Sequence, residues 1–159
     1  MVIDSRSFRK ALGCFATGVT VIAANDGQGK PVGVTISSFA SLSLEPPLVL
    51  FCLGLGASYV ETFRKASHFA VNVLRDDQKE LSIRFASRMA DKWAEVEHSP
   101  GAASGAPVIS HCLAVLECQL EKEMVEGDHV ILIGRVLGLD YDPGGQPLLY
   151  FRGNYAEMA

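Results

Sequence analysis

Several things this sequence lacks narrow its role before any motif is considered. Its four cysteines include no C-x-x-C pair, so neither a paired zinc ligand set nor a thioredoxin-like redox couple is written into it. Cys14, Cys52, Cys112 and Cys118 lie in apolar or strand-like surroundings, the setting of reduced, buried thiols in a cytoplasmic protein. Basic residues never run beyond a residue or two, and the formal charge is −4. Both features argue against a nucleic-acid partner and against an anionic membrane surface. The longest apolar run, Leu48 to Leu55, is far too short to cross a bilayer. No internal repeat, serine nucleophile elbow or set of ligands at metal spacing occurs, so no metal is expected.

What is present reads as one ordinary domain over 1–159, with 48% hydrophobic and 20% charged residues. Phe8, Ala11, Leu12 and Phe15 recur at helical spacing, which predicts an amphipathic helix from Ser5 to about Phe15. Arg6, Arg9 and Lys10 before Ala11–Ala24 loosely resemble a secretion leader, but the glycines and threonines that follow favour a helix and then a strand. Strands are predicted from Val19, over Val32–Ile36 and over Leu48–Leu53, with a turn at Asn25–Gly29. Ser58-Tyr59-Val60-Glu61 has the S-x-x-E capping-box pattern and predicts a helix from Tyr59 to about Lys65. A strand over His68–Leu74, a helix over Asp77 to about Ala86, and strands over Leu113–Glu121, His129–Asp140 and Leu148–Phe151 complete the reading. Lys92 and Trp93 read as a surface pair at a helix end. Short connections and few helices favour a closed or half-closed antiparallel barrel with peripheral helices.

Three features carry candidate chemistry. Thr35, Ser37, Ser38, Ser41 and Ser43 crowd hydroxyls between two sheet-like segments, and the odd-numbered ones share a face if the chain stays extended. Such hydroxyls either satisfy local backbone groups or line a ligand. Gly54-Leu55-Gly56-Ala57-Ser58 runs from a strand into a helix, but Tyr59 stands where a dinucleotide fingerprint needs its third glycine. Ser58 is then either a helix cap or a phosphate contact. His129 follows Gly127-Asp128 at a strand mouth, where a titrating ring can meet a substrate.

The blocks "FRKALGCFATGVT" (8–20), "GVTISSFASLSLEPPLVLF" (33–51), "FAVNVL" (69–74), "QKELSIRFA" (78–86), "GDHVILIGRV" (127–136) and "PLLYFRGNY" (147–155) occur in this order over nearly the whole chain. In this the chain resembles the flavin reductase-like proteins, the small reductase components of two-component flavin-dependent monooxygenases. The resemblance implies a mainly β, antiparallel split β-barrel (the FMN-binding split barrel), usually a homodimer. It implies transfer of a hydride from NADH or NADPH to FMN or FAD, supplying reduced flavin to a separate oxygenase. By the same resemblance, Thr35, Ile36, Ser37, Ser38, Ser41, Leu42 and Ser43 wrap the flavin ring and ribityl chain. Cys52, Leu53 and Ser58 continue that wall towards the phosphate, and Arg84, Phe85 and Ala86 close on it. Tyr59 departs from the Ser or Thr that many relatives carry after the serine. His129 lies on the nicotinamide side with Tyr155 near it, and His129 is the candidate catalytic residue. The alternatives are a flavin- or haem-binding split barrel without turnover, or a flavin-dependent reductase of another acceptor.

Overall fold

The computed structural model describes residues 2–158. The expected single domain also takes in Met1 and Ala159, which lie outside the described residues. The elements in chain order are α1 (Ser5–Leu12), β1 (Thr17–Gly18), β2 (Thr20–Asn25), β3 (Pro31–Ile36), β4 (Ala40–Leu44), β5 (Pro47–Gly54), α2 (Val60–Lys65) and β6 (His68–Val73). A 3-10 turn (Asp76–Gln78) leads into α3 (Lys79–Ala86). Then follow β7 (His98–Pro100), β8 (Pro107–Ile109), β9 (Ala114–Glu126), β10 (His129–Tyr141), β11 (Leu149–Phe151) and β12 (Asn154–Ala156).

The main sheet is antiparallel in the order β3-β2-β6-β9-β10-β5-β4. Its two outer strands, β3 and β4, are neighbours in the chain, joined only by Ser37, Ser38 and Phe39. A sheet whose first and last strands are consecutive must curl, and it encloses one core drawn from β2, β3, β5, α2, β6, β9 and β10. Phe51 meets Phe63 and Phe69 edge-on inside it, at centroid distances of 6.2 and 5.1 Å. Such pairs add stability beyond the area they bury. Gly134 of β10 is what lets the Phe69 ring in: a β-carbon there would stand 2.7 Å from Phe69 Cε1 and 3.0 Å from Cys118 Cβ. The fold is thus the split antiparallel barrel that the resemblance implied.

β2 is buried on both faces, because its alternate side chains serve two cores. Ile22 and Ala24 point into the barrel, while Val19 and Val21 join Leu74, Phe85, Val96, Ile109 and Leu148 outside it. α3 covers this second core and approaches β3 at Gly33, where a β-carbon would stand 2.7 Å from Phe85 Cε1. β1, β11 and β12 form a small separate sheet, and β7 pairs with β8.

Several sequence expectations are corrected here. The first helix ends at Leu12 rather than near Phe15, with Gly13 as its C-cap. Its apolar stripe is left largely exposed among the described residues: Phe8, Leu12 and Phe15 are 53%, 57% and 79% exposed. The capping box at Ser58 does not form. The N-cap of α2 is Tyr59, in the left-handed region (φ 66°), without a side-chain hydrogen bond. Local pattern favoured the serine, but the turn that leaves β5 bonds Ala57 N–H to Gly54 O and sets the helix start one residue later. Lys92 and Trp93 are not a surface pair. Lys92 is 6% exposed and donates from Nζ to the Phe85 carbonyl at 2.9 Å, while the Trp93 and Phe85 rings meet edge-on at 4.8 Å. The last carbonyls of a helix have no partner within it, and here the following loop buries one and supplies the lysine that satisfies it. Of the cysteines, Cys118 is buried, Cys52 and Cys112 are half-buried, and Cys14 is exposed rather than buried; all are free.

Candidate functional site

The hydroxyl-rich segment closes the split. β3 ends at Ile36, β4 begins at Ala40, and the chain crosses between the two edges at residues 37–39. The Ser38 hydroxyl donates to Cys52 O at 2.9 Å and accepts from Cys52 N–H at 3.0 Å, standing in for the strand partner that β5 lacks beyond the end of β4. Thr35 is drawn off differently: its Oγ1 donates to Ser82 O at 2.6 Å and ties β3 to α3. A bulge between Ser41 and Ser43 breaks the alternation of β4. The expectation that Thr35, Ser37, Ser41 and Ser43 share one face therefore fails, because the chain is not continuously extended.

Those hydroxyls answer the capping-or-ligand question in two ways. Ser38 and Thr35 serve the backbone. Ser37 and Ser41 are exposed and Ser43 is half-buried, and among the described residues the hydroxyls of all three make no hydrogen bond within the chain. Leu42 is 47% exposed beside them, while Ile36 is buried. The segment thus offers uncharged donors and acceptors with an exposed leucine among them, the chemistry a large heteroaromatic ring with polar edges requires. Elsewhere, on β1, Thr17 Oγ1 is buried without a hydrogen-bond partner among the described residues, and a buried hydroxyl left unpaired costs about 1–3 kcal/mol.

The other predicted residues fall into three groups. Cys52 and Leu53 of β5 lie opposite Ile131 and Val130 of β10, and Gly54 opposite His129, so the wall and the histidine are neighbours across two strands. His129 sits over Gly54, where a β-carbon would be 3.8 Å from its Nε2. Its Nδ1 lies 2.7 Å from Asp128 Oδ1, and this hydrogen bond holds the Asp128 carboxyl below the usual carboxylate range. With Asp128 ionised, Nδ1 carries the proton, which leaves Nε2 an acceptor on the neutral ring and a donor on the charged one. Ser58 is exposed at the start of α2 and caps nothing.

The last group surrounds α3. Ser82 is fully buried, and its hydroxyl pairs with the Tyr155 hydroxyl at 2.7 Å. Lys79 Nζ lies 5.4 Å from the centroid of the Tyr155 ring. Phe85 is fully buried in the outer core, so its side chain is structural. Arg84 donates to Ala94 O while Lys92 returns a bond to Phe85 O, so the Arg84–Ala86 segment is clasped to the loop behind it. Ala86 is exposed. Among the described residues, cavities of about 120, 300, 380, 470 and 550 Å³ are lined by residues outside the predicted set. No group of three or more His, Cys, Asp or Glu suited to a metal ion occurs among the described residues.

A curled antiparallel sheet whose edge strands are joined by a hydroxyl-rich crossing, with a histidine at a neighbouring strand mouth, defines a split-barrel protein. The chain belongs to the flavin reductase like domain family, which matches residues 12–159. It is 44% identical over 154 residues to a probable flavin reductase of Rhizobium meliloti (strain 1021), covering 97% of this chain and 49% of that protein. The chain thus spans about half the length of that relative. It is 42% identical over 153 residues to the reductase subunit HsaB of a flavin-dependent monooxygenase of Rhodococcus jostii (strain RHA1), covering 96% and 77% of the two chains. Among solved structures, the NADH:FAD oxidoreductase SgcE6 of Streptomyces globisporus, in complex with NAD and FAD fragments, superposes with a TM-score of 0.92 at 34% identity. That match covers 100% of this chain and 97% of the other.

Proposed function

We propose that this protein is an NAD(P)H:flavin oxidoreductase that supplies reduced FMN or FAD to a separate flavin-dependent oxygenase. The observation that carries the reading is the set of unpartnered hydroxyls at Ser37, Ser41 and Ser43, in and beside the crossing between the two edge strands of a flavin reductase like domain. The names of the relatives, a monooxygenase reductase subunit and an NADH:FAD oxidoreductase, support the same chemistry.

The donor set fits a flavin. Ser37, Ser41 and Ser43 offer hydroxyls to its polar edges, Leu42 offers apolar surface to its ring, and Ser58 faces solvent with its hydroxyl free to meet a phosphate. Bound flavin supplies the acceptor for the hydride of a reduced nicotinamide. The chain's task is to hold two rings in a reactive stack, an orientation effect that needs no strong acid or base. His129 is oriented by Asp128 and keeps Nε2 free to bond the nicotinamide carboxamide; when protonated it also offsets negative charge developing beside it. Tyr155 is held by Ser82, so its ring rather than its hydroxyl faces the reductant.

The protein acts as a homodimer. Phe8, Leu12 and Phe15 of the α1 region, with Leu44 (94% exposed) on the edge strand β4, are large apolar side chains left uncovered by their own chain. Its unpaired cysteines suit the cytoplasm. Among the described residues no helix is long and apolar enough to cross a membrane. The purified protein mixed with FMN or FAD should consume the absorbance of NADH or NADPH in a flavin-dependent way. No flavin-dependent loss with either nucleotide refutes the proposal, and a monomer by light scattering with flavin tightly bound refutes the dimer.

A further inference from the structure

A cavity of about 550 Å³ lies between α1 and the turn joining β11 to β12. Arg6, Arg9, Lys10 and Arg152 line it, with no carboxylate among its lining residues. Four cations around one cavity stand out in a chain whose formal charge is −4. Among the described residues none of the four has an ion-pair partner. Arg6, Arg9 and Lys10 alone would be the solvated face of an amphipathic helix. Arg152 changes that reading, because it reaches the same cavity from a different element. Its turn is fixed against the helix end, where Arg152 N–H donates to Gly13 O at 2.8 Å. Like charges brought together from two elements repel unless a counter-charge lies between them.

The position of the cavity says which anion. The turn that carries Arg152 leads directly into β12 and Tyr155. The Arg9 charge also favours the ionised Asp128 carboxyl, the partner of His129. The cavity is therefore joined through its turn to the strand of Tyr155 and linked by charge to the partner of His129, and on the helix it occupies the basic side, away from the exposed apolar stripe. We infer that this cavity takes the diphosphate of a nucleotide tail, with Arg6, Arg9, Lys10 and Arg152 as its cationic contacts, and that the tail is that of the nicotinamide dinucleotide. Guanidinium groups suit this ligand because they bond phosphate oxygens in pairs. The inference rests on the proposed flavin reductase activity.

The test uses the full chain and the variants Arg6→Gln, Arg9→Gln and Arg152→Gln, with Arg9→Lys as the charge-retaining control. NADH oxidation is measured with riboflavin, which has no phosphate, and ADP binding is measured separately by calorimetry. Each Gln variant should raise KM for NADH on the order of tenfold, leave kcat largely unchanged, and weaken ADP in parallel. Arg9→Lys should recover much of the loss, and added salt should weaken ADP binding to wild type more than to the variants. A wild type that oxidises NADH but does not bind ADP, or Gln variants unchanged in both measurements, overturns the inference. Gln variants that lose affinity for FAD relative to FMN, with KM for NADH unmoved, place the flavin's diphosphate in the cavity and overturn the assignment to the reductant. A wild type inactive with every flavin refutes the functional reading instead, and ADP calorimetry still decides whether the cavity binds a diphosphate.

Discussion

Ser82 and Tyr155 are 73 residues apart and share one hydrogen bond of 2.7 Å. Ser82 is fully buried and Tyr155 half-buried, so neither hydroxyl has bulk water as an easy substitute. Replacing Ser82 with Ala removes one partner and strands the other, and an unpaired buried hydroxyl costs about 1–3 kcal/mol. Tyr155→Phe strands Ser82 in the same way. The double variant removes both polar groups together, so its destabilisation should fall short of the sum of the singles by about 1 kcal/mol or more. Urea unfolding of the flavin-free protein measures all four corners of this cycle. Single-variant costs that simply add, within about 0.3–0.5 kcal/mol, show that the bond is not formed and refute the reasoning. The functional limb is separate. If Tyr155 faces the nicotinamide, Ser82→Ala should raise KM for NADH while kcat changes little, although Ser82 touches no substrate.

The remaining predictions concern single sites. His129→Ala should lower kcat/KM for the nicotinamide, by roughly tenfold for each 1.4 kcal/mol lost, with flavin affinity and thermal stability nearly unchanged; a parallel collapse of flavin binding makes His129 part of the flavin wall. Ser58→Ala should shift stability by no more than about 0.5 kcal/mol, since the hydroxyl caps nothing; FMN should weaken more than riboflavin, and equal losses place the phosphate elsewhere. Gly134→Ala should destabilise by about 1–3 kcal/mol, because its methyl group would press on the buried Phe69 ring; an unchanged urea midpoint would contradict the packing of the barrel core. Burial pushes the Cys112 and Cys118 thiols up to about 12, so at neutral or mildly alkaline pH they should stay protonated and resist iodoacetamide, while exposed Cys14 is alkylated. Peptide mapping after a timed pulse checks this, and early labelling of Cys118 contradicts it.

Much of the fold follows from period and punctuation alone. Alternation and β-branched residues mark the strands from Thr20, Pro31, Pro47, His68, Ala114 and His129, and glycines with acidic residues mark the turns between them. The ordered blocks carry the family resemblance, and the density of hydroxyls from Thr35 to Ser43 is legible in the chain, although by itself it leaves backbone capping and ligand binding both open. Where local pattern and three-dimensional context disagreed, context prevailed. Ser58 has the sequence of a cap and does not cap, because the turn leaving β5 decides where α2 begins. Lys92 has the sequence of a surface residue and is buried, because the orphan carbonyl at the end of α3 needs a donor. The serines look equivalent, yet only the curl of the sheet, which brings β3 and β4 together at the split, commits Ser38 to Cys52 and leaves Ser37 free. The pairing of Ser82 with Tyr155 and the meeting of Arg152 with α1 have no signature at all in the chain. Helix and strand patterns are set by neighbours a few residues away, so sequence determines them. Which side chains meet across the barrel depends on strand order and register, and only the folded structure fixes those.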